Sequence, residues 1–114
     1  MPNPVVHFEV LGKDAEALQG FYGKVFDWEL NPVMPSYAMV SKGAEAGIAG
    51  GVGSAPDGSA GHVTFYVEVD DLASALAQIE SAGGRTVQPP MDVPGGPSIA
   101  LFADPEGHVV GLVK

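Results

Sequence analysis

The strongest constraint on this chain is a pattern that it carries twice. One strand-like run reads Val5-Val6-His7-Phe8-Glu9-Val10, and a second reads His62-Val63-Thr64-Phe65-Tyr66-Val67-Glu68-Val69. Successive side chains of a strand point to opposite faces. Val6, Phe8 and Val10 therefore share one face, as do Val63, Phe65, Val67 and Val69, and each apolar face is expected to pack a core. The opposite faces carry His7 and Glu9 in the first run, and His62, Thr64, Tyr66 and Glu68 in the second. Such a sheet suits the wall of a ligand cavity, and it equally suits a sheet with one face in water.

The segments C-terminal to the two strands extend the repeat. Asp14 can cap a helix running to about Phe26, with Leu18, Phe21, Tyr22, Val25 and Phe26 at helical spacing. Asp70 or Asp71 can cap a second helix to about Ala82, striped by Leu72, Ala75, Leu76 and Ile79 and ended by Gly83-Gly84. Each helix leads into three strand-like stretches: Trp28 to Val33, Tyr37 to Lys42 and Ala46 to Val52, then Arg85 to Gln88, Ser98 to Ala103 and His108 to Val113. Thr64 lies 57 positions after His7, and Val87 lies 57 after Leu30. Two tandem βαβββ modules, about residues 4–53 and about 62–114, account for this spacing and predict an α+β fold.

Size and charge narrow the functions. A chain of 114 residues is one domain by length, 1–114, and short for two independent ones. Its 14 acidic and 5 basic residues give a net charge of −9, which repels phosphate backbones and anionic lipid. Nucleic acid and membranes are therefore not expected partners. No apolar run approaches a spanning length, and the start Met1-Pro2-Asn3-Pro4 is unlike a signal peptide, so a cytoplasmic protein is expected. With no cysteine there is no disulfide, thiolate nucleophile or Cys-based metal site.

Three stretches carry a resemblance to a known family: His7 through Trp28 (HFEVLGKDAEALQGFYGKVFDW), Val63 through Gly84 (VTFYVEVDDLASALAQIESAGG) and Phe102 through Val113 (FADPEGHVVGLV). The Phe21-Tyr22 helix end before Val25-Phe26, and the Asp104-Pro105-Glu106-Gly107 turn, belong to the same likeness. That turn is also locally sensible, because Asp, Pro and Gly at its first, second and fourth positions favour type I geometry. Over essentially its whole length the chain resembles the vicinal oxygen chelate superfamily of glyoxalase, bleomycin-resistance and dioxygenase proteins. The resemblance implies two modules forming an open half-barrel around one cavity, often completed in a homodimer.

The same resemblance implies a divalent metal held at four positions, two on the first strands of the modules and two on the fourth. Carried onto this chain, the first position is His7. The second falls near Gly50 or Gly51, the third on Thr64 and the fourth on Gly111. Catalytic zinc or iron sites usually have about three protein ligands, so this set reads as degenerate. The glycines put space where ligands would stand. His62 keeps a metal reading open: it lies on the Thr64 face, roughly 7 Å along the strand, and with His7 it could hold a divalent metal, Glu9 or Glu68 adding an oxygen. A histidine directed to the surface more often binds nothing. No cofactor beyond that possible divalent metal is suggested.

The remaining candidates each have a plain alternative. Glu9 could be a general base in an apolar cavity, or a solvated strand carboxylate. Thr64, Tyr66 and Glu68 could bond a ligand with His7, or do ordinary strand duty. Trp28, Tyr37, Met39 and Phe102 could wall an apolar pocket, or be core. The glycine run from Gly47 to Gly53 lacks the Lys-Ser/Thr of a phosphate loop and reads as a strand approached closely by a ligand or another backbone. Met91 to Pro97 is expected as a loop over the cavity mouth, and His108 is expected to face solvent. Three functions remain open. The first is a metal-independent binder of a small molecule. The second is a lyase, isomerase or dioxygenase using a divalent metal or a His/Glu pair on an oxygen-rich substrate. The third is an accessory module acting by association.

Overall fold

The computed structural model describes residues 2–43 and 46–114. Met1, the first residue of the N-terminal run, lies outside the described residues. The elements run β1 (Val5–Gly12), α1 (Ala15–Phe26), β2 (Leu30–Met34), β3 (Tyr37–Val40), β4 (Ala49–Ser54), β5 (Val63–Glu68), α2 (Leu72–Ser81), β6 (Arg85–Asp92), β7 (Ser98–Ala103) and β8 (Val109–Val113). This is the α+β, twice-βαβββ order that the repeat predicts. Two compact units form: one is His7–Val63, and the other joins the residues up to Val6 with Thr64–Lys114.

In the first unit the strands lie in the order β2-β3-β4-β1. β1 and β4 are parallel, with His7 opposite Ala49, Phe8 opposite Gly50 and Glu9 opposite Gly51. β3 runs antiparallel to β4 and β2 antiparallel to β3. Parallel neighbours need a long crossover, which α1 and the β2-β3 hairpin supply. Asp14 starts α1 by accepting from the Ala17 N–H at 3.0 Å, and Asp27 ends it in the left-handed region at φ 58°. The helix is tied to β4 by two bonds: the Ala15 N–H donates to Ser54 Oγ at 3.0 Å, and Gln19 Nε2 donates to the Val52 carbonyl at 2.9 Å. Beneath it, Val10, Val40 and Val52 are buried against Phe8, Leu18, Tyr22, Trp28 and Leu30. Phe8 and Val10 on the apolar face of β1 thus pack as expected.

The second unit repeats the plan in the order β5-β8-β7-β6, with β5 parallel to β8. Asp71 is the cap of α2, accepting from the Ser74 N–H at 2.9 Å. Leu72, Leu76, Ala100 and Leu112 form the core, joined by Val67, Val69, Ala75, Ile79 and Phe102.

Two expectations change. Val63 and Phe65 are exposed, while Thr64 and Tyr66 on the opposite face are buried. Helix α2 packs on β6 and β7 and gathers Val67, near the end of β5, and Val69, just past it, under its core. The start of that strand buries its other face instead. The Met91–Pro97 loop is also shorter than expected, because β6 continues through Pro89-Pro90 to Asp92. β6 is the outermost strand of its unit, where a missing N–H costs little, and its register slips on β7 between Gln88 and Met91. The loop that remains is a tight turn closed by the Gly96 N–H on the Val93 carbonyl at 2.8 Å.

Candidate functional site

Glu9 is the centre of the polar face of the first unit. It is a strand carboxylate only 8% exposed, and a buried carboxylate needs partners. It has them on both oxygens: Tyr37 Oη donates to Oε2 at 3.0 Å, and His62 Nε2 lies 3.0 Å from Oε1. Tyr37 Oη lies in turn 3.1 Å from His7 Nε2. The result is a connected chain, His7–Tyr37–Glu9–His62, drawn from β1, β3 and the residue that precedes β5.

Each member is placed by local backbone. His7 and Glu9 are two apart on β1 and share a face. Tyr37 opens β3 opposite Gly53, next to the β4 glycines. Its ring lies over Gly51, where a Cβ would collide with the phenolic oxygen, and so reaches across β4 to β1. His62 exchanges both backbone bonds with Leu11, N–H to carbonyl at 2.8 and 3.0 Å. That pairing makes Glu9 its diagonal neighbour, a separation a long side chain bridges. Gly61, at φ 80°, makes the approach possible, because a Cβ there would run into the Leu11 carbonyl.

Burial pushes the His7 imidazole below the usual histidine range, and the nearby Glu9 charge pulls it partly back. A neutral ring is the form that burial favours. Among the described residues, no group of three or more His, Asp or Glu side chains is arranged to hold a metal ion.

His7, Glu9 and His62 are thus brought together, with Glu9 and Tyr37 between the two histidines. Other candidates stand elsewhere. The Thr64 hydroxyl donates to the Val109 carbonyl at 2.7 Å. Tyr66 is buried with its ring over Gly111, so that a Cβ at Gly111 would strike it. The space expected at Gly51 and Gly111 is therefore occupied by tyrosine rings. Glu68 is exposed; its N–H donates to the Pro4 carbonyl and its carbonyl accepts from Asn3 Nδ2, both just ahead of β1. Trp28 packs on the first core and stacks on Tyr22 at 5.3 Å, and Phe102 packs on the second core. His108 is held by Asp104 in the turn before β8. A shallow cavity of about 380 Å³ lies by the start of α2, lined by Asp71, Met91, Asp92, Ser98 and Lys114 among others, and contains none of these candidates.

Tyr37 is the site residue that sequence reasoning treats as an apolar wall. Its signal is the glycine run of β4, which announces a close approach without saying which side chain makes it.

The family model of the Glyoxalase/Bleomycin resistance protein/Dioxygenase superfamily matches residues 5–112, nearly the whole chain. The chain belongs to this superfamily. Among curated relatives, the "Putative glyoxylase CFP32" of Mycobacterium tuberculosis is 30% identical over 106 residues, 87% of this chain and 41% of that protein. The superfamily chain thus spans about two fifths of that relative's length. The "Anthracycline biosynthesis protein DnrV" of Streptomyces peucetius is 43% identical over 44 residues, 39% of this chain and 16% of that one. Among solved structures, a variant Streptomyces coelicolor methylmalonyl-CoA epimerase in complex with 2-nitronate-propionyl-CoA aligns with TM-score 0.68 at 18% identity, covering 99% of this chain and 94% of its own. That likeness shows the fold.

Proposed function

We propose that this protein binds a small organic molecule through hydrogen bonds at the His7–Tyr37–Glu9–His62 face, and that its metal site is degenerate. The observation that carries the reading is the Tyr37 hydroxyl seated over Gly51 and tied to Glu9 and His7. Of the four positions at which the superfamily's enzymes hold metal, His7 alone offers a usual ligand. Gly51 and Gly111 lie under tyrosine rings, and Thr64 offers only a neutral hydroxyl, turned to the Val109 carbonyl. That donor set does not fit a divalent metal.

The ligand class is an oxygen-rich aromatic molecule, a choice supported by the likeness to an anthracycline biosynthesis protein. A cytoplasmic homodimer is the working form, the dimer supported by half-exposed Phe21, Val25 and Phe26 on α1.

A second reading has its own observation: a buried carboxylate flanked by an imidazole and a phenol can serve proton transfer. With both oxygens of Glu9 engaged, holding the site is the better supported role.

The test combines plasma mass spectrometry for metal with calorimetric titration of an anthracycline and chromatographic assay of its fate. Expected are metal far below one per chain and saturable binding without conversion. Near-stoichiometric metal lost in His7→Ala would overturn the metal-free reading. Turnover abolished by Glu9→Gln with the fold retained would install the enzyme in its place.

A further inference from the structure

We propose that Glu9, acting through Tyr37, sets the tautomer of His7, which makes Tyr37 the positioning residue of the site. This rests on the reading of the site as a hydrogen-bonding rather than a chelating one.

An ionised carboxylate only accepts, and a phenol has one hydrogen to give. Tyr37 gives it to Glu9 Oε2, at 3.0 Å. The bond between Tyr37 Oη and His7 Nε2, at 3.1 Å, must then take its hydrogen from the ring. His7 is therefore the Nε2–H tautomer, with its lone pair on Nδ1. By the same count His62 donates from Nε2 to Glu9 Oε1, at 3.0 Å. In these three bonds the hydrogens all point towards Glu9, and Glu9 is held from both sides.

The consequence for the site is specific. Nε2 of His7, as a committed donor, has no lone pair for a cation. A metal at that nitrogen would have to expel Tyr37 from above Gly51 and leave a buried carboxylate short of a partner. One tyrosine thus both closes the glycine corner and commits the histidine.

An imidazole in water already favours Nε2–H, so disconnecting His7 would say little. The informative change is one that reverses the relay. In Glu9→Met the carboxylate that takes the Tyr37 hydrogen is gone, and His7 Nε2, 3.1 Å from the phenol oxygen, becomes open to it as an acceptor. Ring-nitrogen correlation spectra of ¹⁵N-histidine-labelled protein, taken at about pH 8 where an unperturbed imidazole is neutral, read the tautomer directly. Expected is Nε2–H for His7 in the natural chain, a switch to Nδ1–H in Glu9→Met, and a return to Nε2–H in Glu9→Met/Tyr37→Phe. A Glu9→Met spectrum with His7 unchanged would overturn the proposal. Where that variant does not fold, the natural chain decides, and Nδ1–H for its His7 would overturn the proposal equally. Cobalt(II) added to the natural chain separates the two readings. Selective loss of the His7 signals at one equivalent would sink the metal-free function, while the tautomer recorded before the addition still judges the relay.

Discussion

Gly51 and Tyr37 are complementary: the missing side chain of one is the seat of the other's hydroxyl. Gly51→Ala therefore acts at a distance of one strand, pushing the ring off and breaking its bonds to Glu9 and His7. Overpacking of this kind typically costs about 1–3 kcal/mol. Gly43→Ala, where a Cβ meets open space, is the matched control and is expected to be near neutral. Urea midpoints of the two variants check this, and equal midpoints would mean that Tyr37 yields at no cost. His7 gives a second prediction at this scale. Its folded pKa lies below the ordinary 6.5, mainly through burial. The unfolded chain then binds more protons than the folded one between the two values, so stability rises with pH in that window. The contribution is fully present above the unfolded value and is lost as pH falls towards the folded one. Stability of the natural chain and of His7→Gln, measured from pH 8 down to pH 5, should diverge on the acid side, with the natural chain falling more steeply. Parallel curves would show that His7 is not desolvated.

Elements were legible where a short stretch decides them. Asp14, and the Asp70-Asp71 pair of which Asp71 makes the cap, announce the starts of α1 and α2 because a cap needs one side chain and one local N–H. The paired alternation of β1 and β5 gives the strands and the repeat. The covering of β5 was not legible, because it depends on where α2 comes to rest. The strand's alternation looks the same whichever face is buried, and here Tyr66 rather than Phe65 is inside. The site shows the same division. His7 and His62, with Glu9 or Glu68, could be named as candidates from face and spacing, whereas the choice of Glu9 and the joining hydroxyl depend on a side chain 28 residues further along. The connection into β5 carries the prediction at this scale. Gly61 combines φ 80° with a backbone approach to Leu11 that leaves no room for Cβ. Gly61→Ala should cost about 1–3 kcal/mol through strain in the left-handed region and draw His62 away from Glu9. In the ring-nitrogen spectra the His62 signals should move while those of His7 keep their tautomer. Unmoved His62 signals would show that the Leu11 pairing does not depend on the glycine.

For the whole molecule, surface charge and exposed apolar area act against each other. The chain carries −9, so two copies repel at low ionic strength. Each copy also shows Phe21, Val25 and Phe26 on α1 at 56, 54 and 55% exposure. Contiguous apolar surface of this sort commonly marks an association face. Repulsion between separated surface charges weakens as the Debye length falls from about 30 Å at 0.01 M salt to about 10 Å at 0.1 M. Apolar contact does not weaken in the same way. Self-association through α1 is therefore expected to strengthen with salt, the reverse of a contact made by opposite charges. Sedimentation at several ionic strengths should show the dimer fraction rising from 0.01 to 0.1 M, and Val25→Glu should leave a monomer throughout. A dimer that dissociates as salt is added, or one indifferent to Val25→Glu, would place the contact elsewhere on the protein. A monomer at every salt and at high micromolar concentration would remove the homodimer from the proposed function and leave ligand binding at Glu9 to stand by itself.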